Sequence, residues 1–299
     1  MRKLKAIWEL MRLEHGLMLF IAILVGSAIS QKMLYGFSSF LDAYKLILTF
    51  FTVLCLEAST FALNDYFDLE IDKKNKRKDR PLVRGDITPK TALYLFFLLF
   101  PLGLISSFFI NYTCFIIALL TAIFAIIYDT KMKKIKLLGN FYIAYTMGIP
   151  FIFGGAAIIR ENTLNFSVPS VILIIAFIAF LTGAGREIMK DVMDFEGDKA
   201  KGVRSFPRYI GIRKSNILSA CFYVLAIVFS FFPFFNKNFD FYYFNFYYLM
   251  IVLLADIMLL TTSIQLIFKK KPHIKFHRVY TLFALFIGLI AFLVGVFTG

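Results

Sequence analysis

The chain has 299 residues, of which 60% are hydrophobic and 38 are phenylalanine, and its mean hydropathy is +0.76. These values exclude an ordinary soluble domain, and apolar runs of about twenty residues exclude a β-barrel, whose strands alternate over about ten; an all-α, multispanning membrane protein is predicted. The net charge of +14 does not point to nucleic acid, because the basic residues sit in short loops between apolar spans.

In chain order, Met1 to Arg12 form a basic start that is expected to be retained, since no small-residue cleavage site follows it. Nine spans are then predicted, at about 16–34, 43–66, 91–110, 113–129, 138–159, 168–190, 213–234, 243–268 and 277–297, within one domain covering residues 1–299. Cys55, Cys114 and Cys221 fall inside spans and read as small core residues. Gly85 and Gly202 permit sharp reversals in the two long loops, while Pro81, Pro89 and Pro207 limit helix continuation there. Gln31 to Asp42, Arg160 to Val168 and Asn236 to Asp240 read as plain linkers, and Phe239 to Tyr248 as an interfacial aromatic belt.

An odd number of spans puts the two ends on opposite sides of the membrane. With the N-terminus cytoplasmic, 29 of the 33 lysines and arginines fall on that side, and only Lys32, Lys45, Arg160 and Lys237 fall outside. This asymmetry sets the orientation of a multi-pass cell-membrane protein, with the C-terminus outside.

The polar stretch that breaks this pattern is Asn64-Asp65-Tyr66-Phe67-Asp68-Leu69-Glu70-Ile71-Asp72, at the cytoplasmic end of the second span. Its spacing, D-x-x-D-x-x-x-D, recurs 126 residues later at the end of the sixth span as Asp191, Asp194 and Asp198. On a helix, Asn64, Asp68 and Asp72 fall within roughly 80° of arc, and Glu187, Asp191, Asp194 and Asp198 within roughly 60°. Two acidic stripes can therefore face one cavity. Clustered carboxylates require cations, and hard oxygen ligands favour magnesium, which keeps water and phosphate oxygens alongside one or two carboxylates. Basic residues follow both stripes, so the expected ligand is a magnesium diphosphate. The shared offset implies a parallel repeat, spans one to four and five to eight, with span nine added.

N-D-x-x-D-x-x-x-D at 64–72, then Arg80-Pro81-Leu82 and Gly85, and the second motif at 191–198 resemble the UbiA-type intramembrane prenyltransferases. Within them, Arg186 to Asp198 is similar to the R-E-I-x-K-D-x-x-D-x-x-G-D segment of archaeal digeranylgeranylglyceryl phosphate synthases. Near span one, Arg12-Leu13-Glu14-His15 stands where that branch often has Arg-Pro-x-Asn. The resemblance implies a nine-helix bundle around a central cavity open near the cytoplasmic side. It also implies transfer of a geranylgeranyl group from its diphosphate to the hydroxyl of geranylgeranylglyceryl phosphate. The rival readings are an aromatic acceptor, as in quinone biosynthesis, and a cation transporter.

On this resemblance Asn64, Asp65, Asp68, Asp72, Asp191, Asp194 and Asp198 are the expected metal ligands. Lys73, Arg77, Lys131, Lys134, Lys190 and Arg204 are expected to take diphosphate oxygens, and Arg12 and His15 the acceptor's phosphate. Asp68, Asp194 and Asp198 carry the catalytic expectation, with either Asp194 or Asp198 as the proton acceptor. Glu57 and Asp256 are intramembrane carboxylates, either functional or hydrogen-bonded within the bundle.

Overall fold

A computed structural model describes residues 2–13, 16–36, 42–74, 76–132, 135–160, 168–200 and 202–299. Fourteen helices follow one another: α1 (Arg2–Met11), α2 (Gly16–Tyr35), α3 (Ala43–Lys74), α4 (Pro81–Arg84), α5 (Pro89–Ile110), α6 (Tyr112–Thr130) and α7 (Lys136–Ile158). The second half holds α8 (Ser170–Met193), α9 (Phe195–Ala200), α10 (Phe206–Ile210), α11 (Ile212–Ser230), α12 (Phe232–Phe235), α13 (Phe246–Phe268) and α14 (Ile274–Thr298). Among the described residues nine segments are long and apolar enough to cross a membrane: α2, α3, α5, α6, α7, α8, α11 running into α12, α13 and α14. They correspond one to one with the predicted spans.

The second span does not stop at residue 66. With 32 residues at about 1.5 Å each, α3 is roughly 48 Å long, well beyond the ~30 Å of a hydrocarbon core. Its apolar part from Ala43 already crosses that thickness, so Asp65 to Lys74 stand at or beyond the interface on the same rigid helix. The second stripe is built differently. Helical bonding breaks at Asp194, the C-cap of α8, and resumes in α9. The single continuous face expected for residues 187–198 is thus interrupted, where aspartate and Gly197 give the helix little intrinsic support.

α2, α7 and α8 form the centre, each more than half buried over its apolar window. They approach closely because glycines face backbone. A Cβ on Gly154 would sit 2.3 Å from the Ile23 carbonyl oxygen, and one on Gly26 would sit 2.0 Å from that of Phe151. Ser27 Oγ donates to the Gly154 carbonyl at 2.9 Å across the same crossing. Small residues at helix crossings are how membrane bundles gain packing when lipid is as apolar as any side chain. At the periphery, Phe97, Ile105 and Phe109 of α5 and Met250, Leu254 and Ile257 of α13 are exposed at helical spacing. These rows account for much of the chain's hydropathy.

The prolines open helices as well as interrupting them. Pro81, Pro89 and Pro207 each lie at the first or second position of α4, α5 and α10, where the missing N–H is not needed. Gly85 and Gly202 adopt φ of +74° and +72°, the reversals expected of them. The run from Phe239 to Tyr248 is only partly a belt. Phe244, Phe246 and Tyr247 are exposed, but Tyr242 and Tyr248 are fully buried. Their hydroxyls donate to the carbonyls of Phe292 at 2.8 Å and Ser230 at 2.6 Å, which ties α11, α13 and α14 together.

Two contacts set the topology. Arg12, just before α2, meets Asp65 near the end of α3, while Lys32 near the end of α2 donates to the Val296 carbonyl at 2.9 Å, near the end of α14. The start and the end of the chain therefore lie on opposite faces.

Candidate active site

Both stripes reach the same space. A cavity of about 1840 Å³ runs from the face that holds the ends of α3 and α8 into the bundle, and Asn64, Asp68 and Asp72 line it together with Asp191, Asp194 and Asp198. Glu57 and Asp256 line it deeper, and Asp256 accepts from Ser230 Oγ at 2.7 Å. Tyr128 and Tyr142, stacked at 4.9 Å between centroids, also stand on the wall.

Each stripe carries a bridging cation. Arg80 donates from Nη1 to Asp65 Oδ1 at 2.7 Å and approaches Asp72 at 3.8 Å. Lys136 stands 2.6 Å from Asp198 and 3.2 Å from Asp191. In D-x-x-D-x-x-x-D both cations thus hold the first and last aspartate. Asn140, one turn along α7 from Lys136, donates to the other oxygen of Asp191 at 2.8 Å. Asn64 donates to Asp129 at the end of α6 at 3.0 Å.

The metal-ligand candidates separate on this geometry. Asp65 is 2% exposed and lies behind the wall, clamped by Arg80 and by Arg12 at 2.9 Å, and among the described residues its buried Oδ2 has no hydrogen-bond partner. The other six side chains face the cavity. Burial raises the Asp72 carboxyl above the ordinary range, against the pull of the Arg80 guanidinium. Among the described residues no three histidine, cysteine or carboxylate groups gather as a ready-made metal cage. The donor set is nonetheless all hard oxygen from two facing walls. That suits a magnesium ion which takes its remaining oxygens from diphosphate and water.

Among the expected diphosphate contacts, Lys190 and Arg77 line the cavity. Lys190 is held by both oxygens of Glu187 at 2.8 Å, and Arg77 by Asp79, whose carboxyl this contact lowers to about 2. Lys73, Lys131 and Arg204 are exposed and are not among the lining side chains. Lys73 pairs with Glu70 at 2.9 Å, and Arg204 forms an isolated parallel bridge with Ile135. Lys134 and His15 lie outside the described residues. Arg12 lines the cavity with its guanidinium 4.1 Å above the Phe61 ring.

Several wall residues are not evident from motif spacing: Arg80 and Lys136 as stripe-bridging cations, Asn140, Asp129, and Arg186 with Arg278. Lys136 and Asn140 at i, i+4 share one helix face, which is a readable signal. The others depend on loop reversal and helix register.

A polytopic helical bundle with two acidic stripes lining one intramembrane cavity defines a multispanning membrane enzyme. The chain belongs to the UbiA prenyltransferase family, whose sequence profile matches residues 19–287. It is 40% identical over 300 residues to the digeranylgeranylglyceryl phosphate synthase of Archaeoglobus fulgidus, covering 99% of this chain and 97% of that protein. To the Pyrococcus horikoshii synthase it is 33% identical over 294 residues, 98% of each. A solved structure of a digeranylgeranylglyceryl phosphate synthase superposes with a TM-score of 0.77 at 33% identity, over 99% of both chains. A UbiA homologue from Archaeoglobus fulgidus, solved bound to GPP and Mg2+, shares the fold at 15% identity and a TM-score of 0.57, over 96% of this chain and 99% of that one.

Proposed function

We propose that this protein transfers a geranylgeranyl group from geranylgeranyl diphosphate to the free secondary hydroxyl of geranylgeranylglyceryl phosphate, releasing diphosphate and forming the second ether bond of an archaeal membrane lipid. The observation that carries the reading is the pair of acidic stripes lining one cavity. The consistent activity of the full-length relatives supports the choice of acceptor.

Asn64, Asp68 and Asp72 on one wall and Asp191, Asp194 and Asp198 on the other would hold magnesium, while Asp65 orients Arg12 and Arg80. When bound, magnesium supplies counter-charge to the departing diphosphate. Ionisation of the allylic C–O bond moves negative charge onto that group, and Lys190 and Arg77 stabilise it more strongly as it develops. The apolar wall keeps water from the cation-like carbon, and the rings of Tyr128 and Tyr142 add their faces. As the new C–O bond forms, the acceptor hydroxyl gives up its proton. Asp198 is engaged by Lys136, whereas among the described residues no side chain holds Asp194, so Asp194 is the better placed to receive it.

The same reading places the N-terminus and the stripes in the cytoplasm, by the asymmetry of basic residues. It treats spans one to four and five to eight as a parallel repeat, each half contributing one stripe. The test incubates membranes with labelled geranylgeranyl diphosphate, magnesium and a panel of acceptors. Labelled lipid formed with geranylgeranylglyceryl phosphate, and not with para-hydroxybenzoate or homogentisate, is the expected result. Product on an aromatic acceptor alone, or cation flux without product, would overturn the proposal.

A further inference from the structure

The cations at the cavity mouth fall into two sets. Arg12, Arg77, Arg80, Lys136 and Lys190 each meet a carboxylate. Arg186 of α8 and Arg278 of α14 line the same cavity, yet among the described residues neither guanidinium makes a hydrogen bond or ion pair, and the buried Nε of Arg186 has no partner. Arg186 feels the attraction of the neighbouring Glu187, which is itself paired with Lys190, and a weaker repulsion from Arg278. Arg278 is exposed, so the cost of an unpaired charge falls on the part-buried Arg186, and an anion reaching both guanidiniums lowers it. Guanidinium groups suit a phosphate, whose oxygens they engage in pairs.

Apolar side chains line the cavity from both halves of the bundle: Val53, Leu56 and Ile117 from α3 and α6, and Leu259, Leu285 and Leu289 from α13 and α14. A volume of about 1840 Å³ is also well above the roughly 300–1,000 Å³ of a pocket for one small ligand.

We propose that Arg186 and Arg278 bind the phosphate monoester of the acceptor lipid, whose prenyl chain lies against the apolar lining residues of α13 and α14. This rests on the function proposed above and adds an acceptor site separate from the diphosphate site. Arg186 lies one helical turn from Lys190 and about two from Asp194, on the same face of α8. In a glyceryl phosphate the secondary hydroxyl sits on the carbon next to the one bearing the phosphate. Fixing the phosphate at Arg186 therefore presents the hydroxyl toward the reacting carbon.

The test uses the purified full-length protein in lipid nanodiscs, with Arg186→Gln, Arg278→Gln and the corresponding Lys variants. KM is measured separately for geranylgeranyl diphosphate and geranylgeranylglyceryl phosphate, and geranylgeranylglycerol serves as an acceptor without phosphate. Each Gln variant is expected to raise the acceptor KM roughly tenfold to a hundredfold, the range for one charge-assisted contact, with donor KM within about twofold. The preference for the phosphorylated acceptor should shrink in the Gln variants and recover in the Lys variants. Should Arg186→Gln fail to fold, judged by loss of donor binding, Arg278→Gln at the start of α14 decides the matter. A rise in donor KM instead, an intact phosphate preference, or competition by a phosphodiester lipid at this site each overturns the inference while leaving the reaction in place. A wild-type protein that uses no glyceryl phosphate acceptor overturns the inference together with the proposed function.

Discussion

Arg80 and Lys136 each span an aspartate triplet from its first member to its last, and the middle residues, Asp68 and Asp194, line the cavity. Asp68→Ala or Asp194→Ala should reduce turnover about 10²–10³-fold, the usual loss when one electrostatic group is removed from a transition-state site. An assay at saturating magnesium measures this, and near-normal rates in both variants would contradict the assignment. Asp65 should behave differently, because it is buried between two arginines that are each about four-fifths covered. Asp65→Ala leaves those guanidiniums short of a counter-ion and should lower unfolding stability by about 3 kcal/mol. Thermal unfolding should separate it from Asp68→Ala, which leaves the clamp intact. Burial also lifts the Asp72 carboxyl while Arg80 pulls it down. If Asp72 holds magnesium as proposed, only its ionised form does so, and apparent magnesium affinity should decline on acidification at a higher pH than for an ordinary aspartate. Arg80→Gln should move that decline further upward, and titration of the magnesium requirement against pH would reveal an unchanged midpoint if the assignment is mistaken.

The helices that carry these residues are positioned by close crossings rather than by bulky core side chains. Gly154→Ala would place a methyl 2.3 Å from the Ile23 carbonyl oxygen, where neither backbone can yield cheaply. It should cost about 1–3 kcal/mol by overpacking and loosen α2 from α7; a thermal midpoint within a degree of wild type would refute that account of the crossing. This level also separates what can be read along the chain from what cannot. Nine spans and both stripes are legible because apolar length and the spacing of aspartates are properties of one segment. The partners of the stripes are not. Arg80 reaches Asp65 only because the turns from Lys76 to Arg80 fold the chain back along α3, and Arg186 and Arg278 line one cavity only because α8 packs beside α14. The break at Asp194 was hidden for a related reason, since spacing alone assumes that a helix continues.

At the scale of the whole molecule, both stripes, the basic loops and the cavity mouth share one membrane face, and the last residue lies near Lys32 on the other. Cysteines introduced at residue 78 and at residue 237 should be labelled from opposite sides by an impermeant reagent, with residue 78 reached only after the cytoplasmic face is opened. A cavity of about 1840 Å³, lined by both acidic and apolar side chains, fits a reaction that joins two lipids. The central claim is that the two stripes act on one leaving group. The direct measurement is a structure with magnesium and a non-hydrolysable geranylgeranyl diphosphate analogue. Oxygens from the Asp68–Asp72 wall and from the Asp191–Asp194 wall should reach metal ions on the same diphosphate. An analogue held by one wall alone, with the other still closed on its own cation, would contradict it.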